Sequence, residues 1–250
     1  VTATVQWLAT HHASGGTFRI GIDGEDRVAE WLGVGTLRAR RGGADARLVF
    51  EPHCPAQVKE KITRGSAMLL LRHLRGEMAL HGAAVAKNGQ ALLLLGRSGS
   101  GKSTLAHTLV TEHGWELVAD DAIALSGAHG SYQVNPTETN VWLSSSPGLE
   151  KAPRSLHRVA EAPVAVKAAI AFDFAASGTV TLTPLPPLQG MGTWVHGFVR
   201  FDLQDRELLA LEARRIAELS TELPVHLLKR PRDLGRISEA EALLSELTHT

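Results

Sequence analysis

Apolar positions fall into two regimes along this chain. Up to about residue 55 they come as short runs punctuated by glycine. Val5-Gln6-Trp7-Leu8, Thr17-Phe18-Arg19-Ile20 and Arg47-Leu48-Val49-Phe50 are separated by Gly15-Gly16, Gly24 and Gly42-Gly43. Such punctuation predicts a small β-rich region. Prolines on both sides of His53-Cys54 break regular structure. The expected division is therefore a small N-terminal β-rich domain over 1–56 and a second domain over 57–250. From there the period changes. Val58, Ile62, Met68, Leu69, Leu70, Leu71 and Leu74 fit an amphipathic helix over 57–75, with Lys59, Lys61, Arg64 and Arg72 outside and Gly76 as its stop.

Two apolar runs follow, Met78 to Ala86 and Ala91 to Gly96, joined by Lys87-Asn88-Gly89-Gln90. Asn-Gly at the centre of a short connection predicts a tight hairpin. A two-residue turn pairs Lys87 with Gln90, Val85 with Leu92, and brings His81 opposite Gly96. A helix is expected from Lys102 to about His113, stopped by Gly114, then a strand Trp115 to Ala119 ending in Asp120-Asp121. Strands are expected to about Leu143, turning at Asn135-Pro136. Residues 145–162 read as loop or short helix. Val164 to Phe174, Val180 to Leu185 and Val225 to Leu228 read as strands, with helices over Glu207 to Leu219 and Ser238 to Leu247. Pro184-Leu185-Pro186-Pro187 breaks the pattern. A mixed sheet results, not the strict alternation of a doubly wound fold.

The chemistry concentrates between the hairpin and the aspartates. Gly96-Arg97-Ser98-Gly99-Ser100-Gly101-Lys102-Ser103 matches the phosphate-loop pattern in full, with a buried strand before it and a helix after it. The glycines let backbone N–H groups turn onto phosphate oxygens, and the helix N-terminus adds partial positive charge. Lys102 is expected to bridge phosphates, Ser103 to hold Mg²⁺, and Thr104 to complete the loop's contacts with ATP. Two adjacent carboxylates at the next strand end suit a metal ligand and a proton acceptor. Asp120 is assigned as base and Asp121 as metal ligand, with His81 shaping the site or assisting proton movement. Lys151, Arg154 and Arg158 form a basic cluster that offers either a cation to the transferring phosphoryl group or a solvated face. His11-His12 has no accompanying ligand cluster.

Composition narrows the classes. The 250 residues carry a formal net charge of +0, which argues against a nucleic-acid binder held by a basic surface. No apolar run nears the length of a membrane span, and the first residues lack the basic-then-apolar pattern of a signal peptide. With the single cysteine Cys54, a cytoplasmic protein is the expectation.

Leu80-His81-Gly82-Ala83-Ala84-Val85, the phosphate loop after Leu93-Leu94-Leu95, and Leu117-Val118-Ala119-Asp120-Asp121 together resemble the HPr kinase/phosphorylase family. The close likeness covers about residues 78–125. Asn140-Val141-Trp142-Leu143 and Leu223 to Leu228 extend it loosely, toward stand-alone relatives that include kinases of lasso-peptide precursors. The resemblance implies a phosphoenolpyruvate carboxykinase-like α/β P-loop fold and an ATP- and Mg²⁺-dependent kinase. Its acceptor would be a serine on a peptide or small protein. It carries site roles to His81, Lys102, Ser103, Asp120 and Asp121, and a homo-oligomer is compatible with it. Where the family has an acidic residue after the loop serine, this chain has Thr104. Two rival readings stay open: a nucleotide-dependent switch without transfer, and a small-molecule hydroxyl kinase.

Overall fold

A computed structural model of the chain describes residues 5–13, 16–137, 140–144, 151–175 and 178–249. Of the segments read from sequence, residues 1–4, Gly15 and residues 145–150 lie outside the described residues, as does the side chain of Lys151.

The N-terminal region is an antiparallel meander of β1 (Gln6–Ala13), β2 (Gly16–Asp23), β3 (Asp26–Trp31), β4 (Gly35–Arg40) and β5 (Arg47–Phe50), hydrogen-bonded in chain order. β3 and β4 were not among the strands expected. Their apolar content is only one or two residues per face, and pairing supplies the rest: Ile20 sits opposite Ala29, and Ala29 opposite Leu37. The helical segment forms as α1 (Ala56–Ile62), one π turn over Thr63–Ala67, and α2 (Met68–Leu74). The break lies at Gly65, whose φ of −90° and ψ of −106° leave the helical region. Ile62, Ala67, Leu70 and Leu74 pack with Ile20, Leu37, Ala39 and Phe201 into one core. After Gly76, Glu77 N–H returns to the Arg72 carbonyl at 2.8 Å and closes the helix end.

Among the described residues the larger sheet has nine strands: β6 (Met78–Leu80), β7 (Gly82–Lys87), β8 (Gln90–Leu95), β9 (Glu116–Ala119), β10 (Ile123–Ala128), β11 (Ser131–Asn135), and three from the C-terminal half. Those three are β14 (Val164–Phe174), β15 (Thr181–Pro184) and β16 (Val225–Arg230). Between β11 and β14 in sequence, β12 (Asn140–Ser144) and β13 (Lys151–Ser155) form a separate two-stranded sheet. The hairpin register is the one the Asn-Gly turn requires: Lys87 pairs with Gln90 and Val85 with Leu92. β14 runs parallel to both β8 and β16, so the sheet is mixed.

β8 explains why an unbroken apolar run can be a central strand. Leu92 and Leu94 face a core with α3 (Lys102–Glu112) and α6 (Ile237–Thr248). Leu93 and Leu95 face the opposite core with α4 (Pro187–Gly197) and α5 (Arg206–Glu222). Burial on both faces removes the polar alternation that marks a half-exposed strand.

Two sequence expectations are corrected. Residues 151–155, read as loop or short helix, form strand β13, which pairs Arg154 with Val141. A fully buried Val141 anchors the partner strand, and ladder bonding overrides local composition. The proline run that closes β15 also starts a helix, since Pro187 occupies the first turn of α4, where a missing N–H costs nothing. No helix among the described residues is long and apolar enough to cross a membrane.

Candidate functional site

The parallel strands set the site's position. β14 pairs in parallel with β8 and β16, while β9 and β8 both run antiparallel to β7. The carboxyl ends of β8, β9, β14 and β16 therefore point to one edge of the sheet, where open α/β sheets bind ligands. The loop Gly96–Gly101 leaves β8 at that edge and Asp120 leaves β9 there.

Within the loop, Arg97, Ser98 and Gly99 are exposed, and Ser100 N–H donates to the Arg97 carbonyl at 3.1 Å. Gly101, with φ +80°, turns the chain into α3. No side chain caps this helix, and its first turn contains no acidic residue, so no residue of the helix itself offsets its positive end. Lys102 is only 6% exposed, and its ammonium donates to the Gly96 and Arg97 carbonyls at 2.8 and 3.1 Å. The cation is thereby held inside the loop.

Asp120 is 1% exposed, and its Oδ1 accepts a 2.8 Å hydrogen bond from Ser103 Oγ. That bond joins the first turn of α3 to the end of β9. Asp121 is half-buried and has φ +64°, a left-handed conformation that turns it away from the strand direction. Aspartate is one of the few side chains that tolerates this region. The Asp121 carbonyl lies 3.0 Å from His81 Nδ1, and His81 N–H donates to the Gly197 carbonyl at 2.7 Å. His81 thus ties the aspartate pair to the end of α4.

The structure therefore brings Lys102, Ser103, Asp120, Asp121 and His81 to one sheet edge. Arg154, on β13, is exposed, and Arg158 donates to the Gly114 carbonyl beyond the far end of α3 at 3.4 Å. Arg158 is thus spent away from the loop. Two residues that the sequence reading passed over stand beside Gly101. A side-chain carbon built on Gly101 would lie 2.9 Å from Arg230 Nη2 and 3.7 Å from the Phe174 ring. Both residues end parallel strands, and only the sheet topology reveals that.

A protein-family model described as SynChlorMet cassette protein ScmC matches residues 62–171. A 56-residue stretch is 48% identical to the putative HPr kinase/phosphorylase 2 of Oceanobacillus iheyensis. The segment is HPr kinase-like. The stretch is 22% of this chain and spans only 18% of that relative's length. Among solved structures, the HPr(Ser) kinase/phosphatase of Coxiella burnetii aligns over 68% of this chain and 90% of its own, at 14% identity and a TM-score of 0.42. The HPr kinase-like likeness agrees with the family resemblance read from the His81-Gly82 pair, the loop and the aspartates.

Proposed function

We propose that the chain is an ATP- and Mg²⁺-dependent kinase that transfers the γ-phosphoryl group to a serine hydroxyl of a peptide or small protein. The observation that carries this reading is the 2.8 Å bond between Ser103 Oγ and Asp120. A loop hydroxyl joined to a buried strand-end carboxylate is the oxygen-donor pair that suits Mg²⁺ beside nucleotide phosphates. Among the described residues no three His, Cys, Asp or Glu side chains cluster to cage a metal. Mg²⁺ fits that poverty of ligands, because it keeps waters and takes phosphate oxygens. When bound it supplies charge neutralisation at the phosphates.

The pairing of Ser103 with Asp120 supports exchanging the two carboxylate roles expected from sequence. Asp120, buried against the loop serine, serves the metal side, and half-buried Asp121 accepts the proton. In the transfer, the acceptor serine oxygen forms a bond to the γ-phosphorus as the bond from that phosphorus to the β–γ bridging oxygen breaks. ADP leaves and the hydroxyl proton passes to Asp121. Lys102 and the N-terminus of α3 stabilise the phosphate charge. The contact from His81 to the Asp121 carbonyl holds that carboxylate in place. Exposure of Arg97, Ser98 and Gly99 favours an acceptor on a chain over an enclosed metabolite. The family likeness supports the same reaction class and, with it, a phosphoenolpyruvate carboxykinase-like fold.

The test is incubation with γ-labelled ATP, Mg²⁺ and serine-containing peptides. Label is expected on peptide serine. Asp121→Asn should abolish it while nucleotide binding persists, and Asp120→Asn should raise the Mg²⁺ concentration needed. Release of inorganic phosphate with no labelled peptide would overturn the kinase in favour of a switch. Unimpaired transfer by Asp121→Asn would overturn the base assignment.

A further inference from the structure

Arg230 is 3% exposed at the last position of β16. Its surroundings do not neutralise it. Nη1 donates to the carbonyl of the adjoining Pro231 at 3.3 Å, and Nε is buried without a hydrogen-bond partner. Its guanidinium carbon lies 5.4 Å from the centre of the Phe174 ring, which Arg232 approaches at 4.5 Å. Among the described residues no carboxylate pairs with it. Arg27 and Arg200, also largely withdrawn from solvent, are paired with Asp202 and Glu212. Burial also pushes the Arg230 pKa below its ordinary value.

An unpaired guanidinium taken out of water is unfavourable by several kcal/mol. A fold that keeps one gains from it when an anion arrives. The place is informative, because Nη2 lies 2.9 Å from the side-chain position of Gly101, the residue that caps α3. A helix N-terminus without a capping side chain and a buried, unsatisfied guanidinium therefore meet at one point, and both favour negative charge.

We propose that Arg230 is a phosphate-binding residue of the nucleotide site, adding a second fixed cation to Lys102 beside Gly101. This rests on the nucleotide site proposed above, and it concerns binding only. Phe174 supports the guanidinium through its ring face, and the planar fork suits two phosphate oxygens at once. The signature differs from that of a structural arginine. Removing a structural cation weakens the ligand-free fold, whereas removing this one relieves an uncompensated charge.

The experiment compares the full chain with Arg230→Met and Arg230→Lys by thermal unfolding and by calorimetric titration with ADP and Mg²⁺. Arg230→Met should unfold, without ligand, at the wild-type temperature or above. Its ADP affinity should fall at least about tenfold, a loss of roughly 1.4 kcal/mol. Arg230→Lys, which keeps charge without the fork, should fall between. Wild-type ADP affinity in Arg230→Met overturns the proposal. So does a variant that fails to fold, because the guanidinium is then needed for the ligand-free structure. ADP binding without peptide labelling would defeat the kinase and leave Arg230's role standing. Equal ADP affinity in wild type and variant would do the reverse.

Discussion

Gly101 shows how one position can hold a site together. Its φ of +80° lies in the left-handed region, which costs other residues roughly 1–2 kcal/mol. The turn it permits brings the α3 N-terminus, Lys102 and Ser103 round to face Asp120. Gly101→Ala is expected to cut ADP affinity more than tenfold in calorimetry. The fold itself should lose only a few degrees in Tm, because the strain is local. The loop's place between a strand and a helix was legible because its residues are contiguous and each spacing has a local cause. Which of the two aspartates meets the loop was not. It depends on which carboxylate the Ser103 hydroxyl reaches across two elements. A left-handed residue at the end of β9 has no counterpart in hydrophobic pattern, so the turn at Asp121 was equally hidden.

Among the elements, the hairpin was the most legible. Asn88 and Gly89 both have positive φ, 53° and 73°, as the tight turn between right-twisted strands demands. The helix after the proline run and strand β13 were not legible, because partners elsewhere decide them. α6 illustrates how an element is fixed in place. Burial of Glu241 opposes its ionisation, but hydrogen bonds from Lys87, Ser245 and Trp115 outweigh it and hold the carboxyl at about 2. Lys87 Nζ sits 2.8 Å from Glu241, so this group fastens α6 to the end of β7. A folded-state pKa below the unfolded one gives stability that is present above the unfolded value and lost as pH falls through the folded one. The window runs from the ordinary value of 4.5 down to about 2. Glu241→Gln should lower stability at neutral pH by on the order of 2 kcal/mol and flatten the acid limb in that window. Urea unfolding at stepped pH would show it, and an acid limb identical to wild type would exclude the role.

For the whole molecule, the question is what couples the N-terminal meander to the rest. Phe201 enters the meander's core, and Asp202, fully buried, accepts the Arg27 guanidinium at 2.5 Å. Asp202 Oδ1 also accepts the N–H groups of Gln204 and Asp205 at the entry to α5. Asp205 then caps α5 and pairs with Arg41. The Arg41 hydrogen bond is the main reason that Asp205's carboxyl lies below its ordinary pKa. Asp202→Ala removes at once the charge partner of a mostly buried arginine and the acceptor of two backbone N–H groups. A loss of about 3 kcal/mol is expected in urea unfolding. Pairing it with Arg27→Met should recover part of that loss, and no recovery would show that the backbone bonds, not the ion pair, carry the effect.

Features with local causes were readable along the chain. These are the glycine-rich loop between a strand and a helix, the hairpin that feeds it, the amphipathic helices, and the paired aspartates after an apolar strand. Each rests on residues that neighbour one another, so spacing and periodicity suffice. Long-range packing was needed to show that Ser103 reaches Asp120, that His81 holds the Asp121 carbonyl, and that Phe174 and Arg230 arrive beside Gly101. Those meetings follow from parallel pairing of strands distant in sequence, which side-chain pattern does not encode. Burial of Arg230 follows from the same pairing: a guanidinium that reads as ordinary surface charge becomes an unpaired cation at the loop once β16 docks beside β14.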